Sequence, residues 1–163
     1  MRSVSVFPRL DQADIVAMLD ALSPHQNDPW LVDDVLYVDL DFEYDGFLYR
    51  DWEPEAIEHL AAAIGHRPAW AVDIQVSGRV DGTEQLGRLV LTLLDAGGAA
   101  MDDYSDHAWR ASDIRSDARF EGLSFFDFRG FHRASGQHTR LLQPERSGHS
   151  VRHSGPARDA YRA

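Results

Sequence analysis

Ten consecutive residues, Val35–Tyr44, alternate between two kinds of side chain: Leu36, Val38, Leu40, Phe42 and Tyr44 fall on one side, and Tyr37, Asp39, Asp41 and Glu43 on the other. A period of two belongs to an extended strand with one face buried and one wet, the habit of antiparallel sheets. Asp45-Gly46 follows, the preferred pair for a two-residue type I′ turn, and Phe47–Trp52 then reads as the returning strand of a hairpin. In that register Tyr44 faces Phe47, Phe42 faces Tyr49 and Asp41 faces Arg50, which places an aromatic cluster on one side and an opposite-charge pair on the other.

Other elements are marked by their own punctuation. Ser3–Phe7 alternates and is closed by Pro8. Asp11 stands as an N-cap with Asp14 three residues on, and Ile15, Met18, Leu19 and Leu22 make one helical face that Pro24 ends. His25–Asp34 reads as a polar loop anchored by Trp30. Pro54 opens a second helix with Glu55 and Glu58 near its positive end; Ile57, Leu60, Ala61 and Ile64 form its stripe and Gly65 its stop. Trp70, Val72, Ile74 and Val76 alternate along a strand over Ala69–Ser77. Thr83 caps a third helix with the stripe Leu86, Leu89, Val90, Leu93 and Leu94, stopped by Gly97-Gly98. Short strands are expected over Ala99–Asp102 and Leu123–Phe128, the latter entered through Glu121-Gly122, with Trp109 and Ile114 packing the connection between them.

The fold class is therefore α+β. The order βαββαβ of the first six elements suggests a ferredoxin-like two-layer sandwich with helices on one face, extended by a further helix and one or two strands.

At 163 residues the chain suits one domain, and its composition divides it. Residues 1–128 hold 9 Arg against 25 acids, a net of −16; residues 129–163 hold 7 Arg against 2 acids, a net of +5, together the −11 of the whole. The expected organisation is a single acidic domain over 1–128 followed by a basic Arg/His-rich tail over 129–163. That tail is rich in Gly, Ser and Pro and poor in apolar spacing, so disorder is expected there. Its charge also suits folding back on the acidic domain or touching nucleic acid.

Composition also removes chemistries. With no Cys there are no disulfides, thiolate metal sites or thiol nucleophiles, and with no Lys there is no P-loop lysine or Schiff base. No run approaches the ~20 apolar residues of a membrane span, and the start of the chain lacks a secretory apolar core, so a cytoplasmic site is expected. The negative domain disfavours nucleic acid and anionic membrane as its partners.

Two acidic clusters remain as candidates. The first is the polar face of the hairpin, Asp39, Asp41 and Glu43, with Tyr37 and Leu48 as contact area: either an ordinary solvated face or a surface for a cationic partner. The second is Asp102, Asp103 and Asp106 with His107 beside them. Asp102, Asp106 and His107 would be the ligands of a metal-dependent hydrolase, although EF-hand spacing is absent; Asp and Ser turn bonds at a strand end account for the same residues. His149 and His153 have zinc-like spacing without further ligands, and no hydrolase, dinucleotide or metalloprotease motif is present. No cofactor is expected.

The stretches Val35–Gly46, Asp102–His107 and Phe125–Phe128 resemble small acidic proteins of high-GC bacteria, and the Lys-free composition suits such a source. Some of these resemble immunity proteins of polymorphic toxin systems. The resemblance covers residues 1–128. It implies a compact α+β domain that blocks a cognate toxin without catalysis, and it assigns no residue a role. The leading expectation is a non-catalytic protein-binding domain that meets a basic partner, such as a toxin, through its acidic sheet face. A small metal-dependent hydrolase and a structural subunit that oligomerises through a sheet edge are the alternatives.

Overall fold

The computed structural model describes residues 2–25 and 29–141. Its elements run β1 (Arg2–Pro8), α1 (Gln12–Leu22), β2 (Trp30–Val32), β3 (Leu36–Phe42), α2 (Pro54–Ile64), β4 (Trp70–Val76), α3 (Thr83–Leu93), β5 (Gly98–Asp102), α4 (Ala111–Arg115) and α5 (Phe128–Leu141). The class is α+β, as the sequence indicates. The five strands form one sheet in the order β2-β3-β4-β1-β5, antiparallel at every pair.

The local signals explain most of these bounds. The Asp11 side chain accepts the Asp14 amide at 3.0 Å and fixes the start of α1. Pro54 sits in the first turn of α2, and Gly65 closes that helix in the left-handed region at φ 95°. Thr83 is the first residue of α3 rather than its cap; Gly82, at φ 66°, takes the cap position.

Three expectations give way. First, the ferredoxin-like pairing needs a parallel pair of neighbouring strands, and among the described residues none is formed. Strand β4 lies between β3 and β1 and runs against both.

Second, the hairpin after Tyr44 does not form. Strand β3 has β4 on one side and β2 on the other, and β2 lies inside the expected polar loop. The turn from Val32 to Val35 places Asp33 and Asp34 at φ 52° and 58°, a conformation Asp tolerates. Residues 43–52 form turns instead of a returning strand. Leu48 and Tyr49 are consecutive and both buried, which strand alternation forbids; Tyr49 at φ 65° makes it possible.

Third, Leu123–Phe128 contributes only a bridge, Phe120 with Leu123, closed over Glu121-Gly122. Phe126 then turns at φ 57° and α5 begins at Phe128, so residues 129–141 of the expected tail are helical. The remainder, with His149 and His153, lies outside the described residues.

Both faces of the sheet carry apolar cover. One face packs Val4, Val6, Val38, Val72 and Ile74 against Ile15 and Leu19 of α1 and Leu86, Val90 and Leu93 of α3. The other packs Phe7, Ala71, Ala99 and Met101 against Ala56 and Leu60 of α2 and against Leu48 and Tyr49. The layers are therefore helix, sheet, helix, not helices on one side only. The Tyr49 hydroxyl donates to Pro68 O at 2.7 Å, and burial pushes its pKa up to about 12, so it stays a donor. The segment after β3 is thus held down on the second face and covers part of it.

Candidate functional site

The part of the second face that α2 and residues 43–52 leave open is where the acidic side chains gather. Residues opposite one another in an antiparallel pair share a face. Asp39 of β3 lies opposite Asp73 of β4, and Asp73 lies opposite Ser5 of β1. One row along, Tyr37 lies opposite Gln75, and Gln75 opposite Ser3. Asp103, one residue beyond β5, closes that row: its carboxylate accepts the Ser3 amide at 2.7 Å and the Ser3 hydroxyl at 3.1 Å.

The result is a groove of about 390 Å³ between the sheet and residues 47–53. Six acidic residues with side chains free of the opposite face line it (Asp41, Asp51, Glu53, Asp73, Asp103 and Asp106), with Arg50 the single basic one among the described residues. Arg50 is already engaged: its Nε donates to Gly46 O at 3.2 Å and its guanidinium stacks on Phe47, 4.6 Å from the ring centre. A second, smaller hollow of about 290 Å³, lined by Pro29, Tyr37, Asp39, Asp73 and Gln75, continues the same face. Asp73 borders both.

The electrostatics follow from crowding. Burial pushes the Asp73 carboxyl up to about 6, its hydrogen bond from Gln75 at 2.9 Å pulls back, and Asp41, Asp103 and Asp39 push further. Asp41 is raised as well, by burial first and then by Asp39 and Asp45, with Arg50 opposing.

The sequence-derived candidates divide on this geometry. Asp39 and Asp41 share the open face, Tyr37 stands beside them half exposed, and Asp103 and Asp106 join Asp41 in one groove, a meeting of the two clusters that no local pattern signals. Glu43 lies past the end of β3 and pairs with Arg67 at 2.7 Å, so it is not part of the row. Leu48 is 5% exposed and belongs to the core under the groove, not to its surface.

Asp102 faces the other way. Its Oδ2 accepts the Phe126 amide at 2.7 Å, and its Oδ1 accepts the Tyr104 and Ser105 amides at 3.1 and 3.0 Å. Burial raises it, and those bonds pull it back. It is a structural carboxylate at a strand end. His107 stacks on Phe120, contacts Trp109 edge-on and approaches Asp113 at 3.5 Å, away from any partnership with Asp102. Among the described residues no group of three or more His, Asp or Glu side chains is placed to hold a metal ion.

Asp73, Asp51 and Glu53 were not singled out by sequence. Asp73 interrupts an apolar run at a position whose partner strands are set only by the topology. Among the described residues no helix is long and apolar enough to cross a membrane. The fold and site define a small antiparallel α+β protein with an acidic groove on one sheet face. Compared with known proteins, the chain matches no family model, no curated protein and no solved structure.

Proposed function

We propose that this protein is a non-catalytic binding domain that grips a basic protein partner in the acidic groove, in the manner of an immunity-type inhibitor covering a cationic toxin. The observation that carries the reading is the convergence of Asp41, Asp73 and the Asp103–Asp106 segment, three separate parts of the chain, on one open groove where, among the described residues, they outnumber the one cation, Arg50. Like charges placed side by side are locally destabilising, so a sheet face built this way gains most from a partner that brings the opposite sign. Exposed Phe47 and Tyr37 flank the carboxylates and offer the aromatic contact that protein interfaces favour. The other expected readings have less behind them. The hydrolase would need Asp102 and His107 together, and their side chains are committed to different neighbours.

The test is capture from the native host by the wild-type chain and by an Asp41→Asn, Asp103→Asn double variant. A basic partner should be retained by the wild type, released as salt rises and lost with the double variant. A complex indifferent to both salt and the two substitutions would sink the reading.

A further inference from the structure

Asp73 is the acidic residue at the centre of the open face. It sits on β4, between β3 and β1, and is partly buried. Across β3 it faces Asp39 directly, with Asp41 at the diagonal position; across β1 it faces Ser5. From β5 the nearest row contributes Met101, opposite Ser5, and Asp103 lies just beyond the strand end. Residues 47–53 bring Arg50, Asp51 and Glu53 to the same groove, and the cation among them acts on Asp41. Among the described residues the Asp73 carboxylate accepts a side-chain hydrogen bond from the Gln75 amide.

We propose that this arrangement is a proton gate on the groove: Asp73 takes up a proton ahead of its neighbours in mildly acidic solution, and the face sheds negative charge when it does. Two carboxylates directly opposed on one face, with a third diagonal to them, favour a neutral form at the member least accessible to water. Asp73 is that member. Burial, with Asp41, Asp103 and Asp39 nearby, pushes the Asp73 carboxyl up to about 6, in the direction this assignment needs. A cation entering the groove has to displace that proton, so grip is firm at neutral pH and loosens in mild acid. This binding consequence rests on the groove being a cation grip; the proton uptake does not.

Carboxyl-carbon NMR titration of the full chain reads the gate itself. The Asp73 side-chain signal should move with a midpoint near 6, clear of the ordinary 3.8. Asp41→Asn, which removes the strongest neighbouring charge, should bring that midpoint down. Gln75→Leu, which removes the opposing donor, should drive it up. A midpoint in the ordinary range, or one that neither variant moves, overturns the gate. Binding is read separately with a nona-arginine peptide, whose affinity should fall from neutral to mildly acidic pH for the wild type and stay level for Asp73→Asn. Equal affinity for the wild type at both conditions also overturns the gate. No binding at either condition overturns the grip instead, while the titration still decides the proton.

Discussion

The Asp102 carboxylate accepts the backbone amide of Phe126 at 2.7 Å across a sequence gap of 24 residues. This bond ties the end of β5 to the turn that launches α5. Phe126 itself is 1% exposed, and its ring meets Tyr104 edge-on at 5.6 Å, while Arg2 stacks over Phe128 at 4.4 Å. One carboxylate thereby closes the C-terminal part of the core.

Asp102→Ala should therefore cost stability and leave binding at the groove intact in the folded fraction. Its removal orphans the Phe126, Tyr104 and Ser105 amides, and a charged acceptor of this kind is worth about 2–3 kcal/mol. Urea unfolding measures the loss. A variant as stable as the wild type would restore Asp102 to the list of surface candidates.

Stability should rise as the solution becomes mildly acidic. The Asp73 pKa in the fold is about 6, above the 3.8 of the unfolded chain, so the folded state binds this proton more tightly. The stabilisation is absent at neutral pH, grows as pH falls through about 6 and is complete near the ordinary carboxylate range. Asp102 is shifted in the same direction and adds to it. Thermal unfolding of the wild type against Asp73→Asn isolates the Asp73 share: the variant should show the shallower pH dependence.

Leu48 and Tyr37 should separate cleanly although both were expected to be contact residues. Leu48→Ala removes a side chain from the core beside Phe7 and Leu60 and should destabilise by about 2–4 kcal/mol. Tyr37→Ala touches an exposed side chain and should shift stability by less than about 0.5 kcal/mol while weakening capture of a basic partner. Unfolding curves and capture, run on both variants, check the division.

Gly98→Ala should disrupt the β1–β5 pairing. Gly98 sits at φ 109°, opposite Pro8, and a Cβ there would run into the Phe7 carbonyl oxygen. Backbone cannot yield as a flexible side chain does, so the cost should exceed about 1 kcal/mol. Gly122→Ala, at a turn with open space around it, provides the comparison and should cost less despite its own positive φ of 83°.

Local chemistry written into neighbouring residues was legible in the sequence. The Asp11 cap, the Pro54 start and Gly65 stop of α2, the apolar stripe of α3 and the alternation of β1, β3 and β4 all depend on contacts within a few residues, and each appears where its signal lies. The polar face of β3 was legible for the same reason. What the sequence could not fix was which strand lies beside which. Asp45-Gly46 favours a hairpin on local grounds, but the second sheet face exposes Phe7, Ala71, Ala99 and Met101, and burying them with Leu48 and Tyr49 outweighs one tight turn. The groove belongs wholly to that tertiary choice. Asp39, Asp73 and Asp103 lie far apart along the chain, and they become neighbours only because β4 settles between β3 and β1. Strand order is decided by the burial of apolar faces over the whole sheet, a sum that no short stretch of residues contains.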